Sequence, residues 1–138
     1  MNDTLHYLLM ADHALLQKIL FANIRDSGLS LGQPKVLDFL KDHDGAVQKD
    51  IAKGCHIEPA SLSTILTGME KSGLITRETN ENNRRNLYIY MTDKGKAICE
   101  QVTEHFSQIE KKALSGFTEE EIENILTYLT KIHKNLEA

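Results

Sequence analysis

Ile57-Glu58-Pro59-Ala60-Ser61-Leu62-Ser63-Thr64-Ile65-Leu66-Thr67-Gly68-Met69-Glu70-Lys71-Ser72-Gly73 reads as a helix with a marked start, a marked stop and two unlike faces. Pro59 suits the first helical position, where its missing N–H would be unpaired in any case. Ile57 is placed to staple onto Leu62. Leu62, Ile65, Leu66 and Met69 then recur at i, i+3, i+4 and i+7 as one apolar stripe, with Ala60, Ser63, Thr64, Thr67, Gly68 and Lys71 opposite. That second face is small, hydroxylated and almost uncharged. Hydroxyls bond phosphate oxygens and base edges, and a face without bulk can settle into a major groove about 12 Å wide.

The chain on either side of this helix agrees with such a use. Before it, Gln48-Lys49-Asp50-Ile51-Ala52 starts another short helix, so that two helices meet across a turn. After it, Leu74 to Thr79 reads as a strand and Asn86 to Met91 as its returning partner, because Leu87, Ile89 and Met91 alternate with Tyr88 and Tyr90. Between them, Asn80-Glu81-Asn82-Asn83-Arg84-Arg85 reads as a polar loop with two arginines at a projecting tip. Paired arginines on a projection suit phosphate contact or entry into a narrow minor groove, where the potential is more negative.

These residues resemble the MarR family (multiple-antibiotic-resistance regulators) of winged helix-turn-helix proteins. Leu31-Gly32-Gln33-Pro34-Lys35-Val36-Leu37 resembles the family's opening motif in looser form, and Gln48 to Ala52 resembles the start of its first motif helix. Ser61 to Leu66 and Met69 to Ile75 resemble the recognition helix and its exit. Arg84-Arg85 followed by Met91-Thr92-Asp93-Lys94-Gly95 resembles the basic wing tip and the motif that opens the next helix. The ordered set spans roughly half the chain.

The resemblance implies a mainly α fold with a small β-hairpin wing, a winged helix-turn-helix over about 28–96, flanked by N- and C-terminal dimerisation helices over about 4–27 and 97–138. It implies one domain of this type over 1–138, double-stranded operator DNA as partner, a homodimer, and contacts from Ser61, Ser63, Thr64, Thr67, Gly68, Lys71, Arg84 and Arg85. It also implies repression at a pseudo-palindromic site, with a small-molecule effector as a further possible partner. Two departures bear on mechanism. Thr64 and Gly68 stand where the family usually carries basic residues, so lower intrinsic DNA affinity or a site read more by shape and hydroxyl contacts is expected. Asn83 stands where the family usually has Asp, which leaves an acceptor for Arg85 with less charge assistance.

Composition sets bounds on this reading. The 138 residues carry a net charge of −4, which argues against a general nucleic-acid coat protein. The charge is uneven: residues 49–96 hold eight Lys/Arg against six Asp/Glu, leaving eight against fourteen elsewhere. Two cysteines make no disulfide framework, and the N-terminus shows neither a signal peptide nor a membrane span, so a cytoplasmic protein with no membrane partner is expected. Asn2-Asp3-Thr4 matches a glycosylation sequon that has no meaning without secretion.

The flanks are helical. Thr4 to Ile24 carries a leucine-rich pattern ended by Ser27-Gly28, Ser30-Leu31-Gly32-Gln33 fits a capping box, and Thr92 fits a cap for a helix through Ile98, Val102, Phe106 and Ile109. Thr118-Glu119-Glu120-Glu121 fits a second capping box, behind which Ile122, Ile125, Leu126, Leu129, Ile132 and Leu136 form a stripe. Covering that stripe economically takes the terminal helices of a second copy across a two-fold axis.

Other classes have thinner support. Six histidines and two cysteines, including Cys55-His56 and Glu104-His105, raise a metal-responsive regulator, but they are scattered singly, and no metal site is expected. His6, His13, His43 and His133 read as surface or interface residues. Cys55 lies just before the recognition helix, where a helix N-terminus lowers a thiol pKa, so a thiol switch is physically allowed; Cys99 reads as structural. No phosphate loop, nucleophile elbow or paired His/carboxylate motif appears, so neither catalytic residue nor cofactor is expected. A winged helix used for protein interaction is the remaining alternative.

Overall fold

Left-handed residues and short polar caps punctuate the chain into six α-helices and one hairpin in the computed structural model, which describes residues 3–138. Asn2, and with it the sequon, lies outside the described residues. The order is α1 (Leu5–Ile24), a 3-10 turn (Arg25–Ser27), α2 (Gln33–His43), α3 (Gln48–Cys55), α4 (Pro59–Lys71), β1 (Ile75–Asn80), β2 (Asn83–Met91), α5 (Asp93–Ala113) and α6 (Glu119–Glu137). The chain forms two compact units, Met1–Phe106 and Ser107–Ala138.

In the first unit, α1 runs into the 3-10 turn and stops at Gly28, whose φ of 80° few other residues adopt without strain. The expected Ser30 capping box forms by half. Gln33 Oε1 accepts from the Ser30 N–H at 3.2 Å, but the helix cap is Gly32 at φ 89° and the Ser30 hydroxyl makes no cap bond. The left-handed Gly32 moves the helix start two residues on, so the Ser30 carbonyl, rather than its side chain, receives the Gln33 N–H at 3.1 Å. Gly32 also lets α2 approach α4, since a Cβ there would lie 2.6 Å from Ile65 Cδ1.

The turn between α3 and α4 is made by His56, left-handed at φ 53°, followed by the Ile57 N–H bonding the Ala52 carbonyl at 3.0 Å. Pro59 then opens α4 as expected. Leu62, Leu66 and Met69 of α4 are fully buried with Val36, Leu37 and Leu40 of α2, Ile51 of α3 and Ile89 of β2. Each such side chain contributes about 1.5–3 kcal/mol on leaving water, so this cluster fixes how α4 is presented. Ile65, on the stripe's edge, is only half-buried.

The hairpin is longer and its turn tighter than the sequence suggests. Antiparallel pairing runs from Ile75 opposite Met91 to Asn80 opposite Asn83, with an irregularity between Glu78 and Asn80, and only Glu81 and Asn82 separate the strands. Arg84 and Arg85 therefore lie in β2 and not in a six-residue loop. Asparagine chemistry explains the correction: Asn80 Oδ1 accepts from the Asn83 N–H at 2.7 Å and Asn83 Oδ1 from the Arg85 N–H at 3.2 Å, closing the turn locally.

The hairpin's base is stitched to the loop between α2 and α3. The Gly45 N–H donates to the Ile89 carbonyl at 2.8 Å, the Ile89 N–H to the Ala46 carbonyl at 2.9 Å, and the Met91 N–H to Asp44 Oδ1 at 2.8 Å. Thr92 caps α5 through the Gly95 N–H at 3.0 Å, while its own hydroxyl donates to the Gly73 carbonyl.

In the second unit the Thr118 capping box is complete, with Glu121 Oε1 accepting from the Thr118 N–H at 2.9 Å and Thr118 Oγ1 from the Glu121 N–H at 3.1 Å. Helix α6 has no buried residue.

Candidate nucleic-acid interface

The face of α4 opposite its buried stripe carries Ser61, Thr64, Thr67 and Lys71 exposed, with Ser63 and Gly68 half-buried at its two margins. The margins differ. A Cβ on Gly68 would lie 3.3 Å from Gln33 Nε2, so this glycine is turned toward α2. Ser63 lies on the side where β1 approaches, and its carbonyl accepts from Arg77 Nη2 at 3.1 Å.

The two threonine hydroxyls on this face are already engaged. Thr64 Oγ1 donates to the Ala60 carbonyl at 3.3 Å and Thr67 Oγ1 to the Ser63 carbonyl at 2.9 Å. These bonds to the preceding turn are a known alternative for threonine inside a helix. Arg77 Nη2 donates in addition to Thr67 Oγ1 at 2.7 Å. Sequence reasoning placed Arg77 in a strand and gave it no role. The signal was there in the two-residue period, since Arg77 shares a strand face with Ile75, which is buried.

Arg84 and Arg85 are both exposed near the start of β2. Adjacent strand residues point to opposite faces, so the pair presents one guanidinium on each side of the hairpin. The candidate residues thus gather on α4 and on the hairpin, with Arg77 bonded across the junction of the two.

Cys99 is buried, as its place on an amphipathic helix suggests, whereas Cys55 is placed differently from the sequence expectation. Cys55 is the last residue of α3, at the helix end whose dipole disfavours a thiolate, and it is 3 % exposed with its thiol directed to the Lys35 carbonyl. Burial pushes that thiol's pKa up, the Lys35 charge opposes the shift, and Asp38 adds to it. Burial likewise raises Cys99, whose thiol donates to the Leu37 carbonyl at 3.3 Å, with Thr103 and Lys41 opposing and Asp38 and Glu100 adding. Among the described residues no group of three or more His, Cys, Asp or Glu side chains is arranged to hold a metal ion. A cavity of about 460 Å³ lies within the first unit, lined among others by His13, Leu16, Phe21, Lys35, Ile57 and Ile65.

The MarR family model matches residues 29–87, the span from just ahead of α2 into the wing. The chain belongs to the MarR family. A MarR family transcriptional regulator from Listeria monocytogenes, solved with a 26mer DNA, superposes with a TM-score of 0.90 at 27 % identity, covering 99 % of this chain and 90 % of that one. The S. aureus MepR–DNA complex gives a TM-score of 0.85 at 30 % identity over 98 % of this chain and 99 % of that one. In sequence, the HTH-type transcriptional regulator YybA of Bacillus subtilis (strain 168) is 28 % identical over 137 residues, 99 % of this chain and 91 % of its own. This MarR-family chain is accordingly a DNA-binding transcriptional regulator with a winged helix-turn-helix fold. Among the described residues, no helix is long and apolar enough to cross a membrane.

Proposed function

We propose that the chain is a cytoplasmic repressor, without catalytic activity, that occupies a pseudo-palindromic operator as a homodimer. The observation that carries this reading is the exposed, small-residue face of α4 with the arginine-bearing wing beside it. Ser61, Ser63, Thr64, Thr67 and Lys71 meet bases and phosphates in the major groove, Gly68 lines the margin of that contact, and Arg84 and Arg85 meet the backbone or the adjacent minor groove. Residues 1–138 act as one functional domain, in which the regions of about 4–27 and 97–138 supply the dimer. Exposed Leu126, Leu129 and Leu136 on α6, and Leu5, Leu9 and Met10 on α1, support that pairing. A dimer spaces two recognition helices for half-sites about one helical turn, roughly 34 Å, apart.

The cavity beside α1 and the start of α4 suits an apolar small molecule, since pockets of about 300–1,000 Å³ are the usual size for such ligands. Seated there, it releases DNA by binding more tightly to the geometry that DNA does not favour. Selection of bound duplexes from a random pool tests the central reading. Enrichment of an inverted repeat with half-sites about one turn apart is expected, and a pool that stays random with folded protein present would refute it.

A further inference from the structure

A hydroxyl has one proton to give and two lone pairs to offer, whereas a guanidinium has donors only. Arg77 Nη2, 2.7 Å from Thr67 Oγ1, is therefore received by a lone pair. The Thr67 proton is left to point elsewhere, and the Ser63 carbonyl at 2.9 Å takes it. The same polarity holds one turn earlier, where the Thr64 proton goes to the Ala60 carbonyl. What the exposed face of α4 then offers at these positions is lone pairs and methyl groups, not donors.

That polarity discriminates among bases. In the major groove cytosine N4 presents an amino donor, adenine sets its N6 amino donor beside the N7 acceptor and thymine sets a methyl beside its O4 acceptor, whereas guanine presents only the acceptors N7 and O6. Lone pairs and methyls match the first three and oppose lone pair to lone pair against guanine. Arg77 is also held at a cost: its Nε is buried without a hydrogen-bond partner, where an apolar side chain would leave nothing unsatisfied. The guanidinium spans from β1 to two acceptors on α4, so it also ties the wing to the recognition helix.

We propose that Arg77 is a positioning residue for sequence recognition: by fixing the hydrogen-bond sense of Thr67 and the seat of the wing against α4, it makes the Thr64–Thr67 face select against guanine. The inference rests on α4 being the helix that enters the major groove. It adds a rule about which bases that helix accepts.

The test uses the full chain and its selected operator, with each base pair in turn replaced within the half-site. Binding is measured for the wild type and for Arg77→Met, Arg77→Lys and Thr67→Val, the last keeping the methyl and removing the lone pair. Wild-type protein is expected to bind about tenfold more weakly when guanine faces Thr64 or Thr67. Arg77→Met and Thr67→Val should each abolish most of that discrimination at the Thr67 position, and the double variant should be no worse than either alone. Arg77→Lys should recover part of it, because an ammonium can donate to Thr67 without the fork that also reaches the Ser63 carbonyl.

Affinity for non-selected duplex, and its salt dependence, should be the same in the wild type, Arg77→Met and Arg77→Lys, because Arg77 is argued to act through Thr67 and not on the DNA itself. A fall of about 0.9 in the log–log salt slope for Arg77→Met would make Arg77 a phosphate contact and overturn the positioning role. Guanine at the Thr67-facing position in the wild-type selection would overturn the polarity argument, as would unchanged discrimination in Thr67→Val, a variant that removes no packing volume from the core. If the wild-type protein selects no sequence at all, the groove-reading helix itself is refuted, an outcome distinct from loss of the guanine rule.

Discussion

Helices α4 and α6 carry apolar stripes of the same period, and the two stripes meet opposite circumstances. Leu62, Leu66 and Met69 of α4 are wholly buried inside their own unit, while Leu126, Leu129 and Leu136 of α6 are 57, 45 and 75 % exposed. Periodicity states which face of a helix avoids water and is silent on what covers it. For α4 the cover is local in structure: α2 approaches through Gly32, and the wing is seated by Asp44 to Val47. For α6 the cover proposed above is a second copy. On that proposal α4 is held within one chain, while the spacing of two copies of it would depend on the interface between the chains.

The largest expected effect comes from breaking the uncovered stripe. Leu129→Glu places a carboxylate in the proposed dimer seam, where an unpaired charge is expensive to bury. Sedimentation should fall from twice the 15.6 kDa chain mass to the chain mass itself. Operator affinity should drop on the order of 10²-fold as two linked half-site contacts become one. A dimer that survives the substitution would place the interface elsewhere.

The covered stripe should respond in the other way. Leu66→Ala removes a fully buried side chain and is expected to destabilise the fold by about 2–5 kcal/mol in urea unfolding. Its association state should not change under conditions where the protein remains folded. Equal loss of stability and dimerisation from this one position would erase the distinction between the two helices.

Much of this contrast was legible in the sequence. Pro59, Gly28, Thr92 and the Thr118–Glu121 box mark element ends through local chemistry, and local chemistry is what a sequence states directly. What escaped it depended on partners distant in the chain. The Ser30 cap was displaced by a left-handed Gly32 that is held against Ile65 of α4. The wing base pairs with residues 44–47, more than forty positions earlier. Gly68 sits opposite the apolar stripe on a helical wheel and yet meets Gln33, and Arg77 reads as one more strand charge until its two acceptors on α4 are seen. The turn was misjudged for a nearer reason, because each of two asparagines folds its side chain onto the backbone a few residues on and shortens the loop.

The wing gives a smaller test within the first unit. Arg85→Ala should flatten the log–log salt dependence of operator binding by about 0.9, one phosphate contact, and Arg84→Ala should have the lesser effect. Because the two point to opposite sides of β2, equal effects from both would mean that the hairpin tip is embraced by DNA on both faces. The least effect is expected at Gly68. Alanine there gains about 1 kcal/mol of helix propensity and gives some of it back against Gln33 Nε2, so stability should change by less than about 1 kcal/mol. Gly68→Arg should tighten binding beyond Gly68→Ala, more so at low salt, if this margin comes near the phosphates.

Hydroxyl-radical footprinting of the wild-type protein on its selected duplex, with the number of bound chains determined on the same complex, tests the central claim most directly. The account predicts two chains per duplex and two symmetric blocks of protected backbone about one helical turn apart. A single protected block under one bound chain, or a folded dimer that protects no block at all, would contradict it.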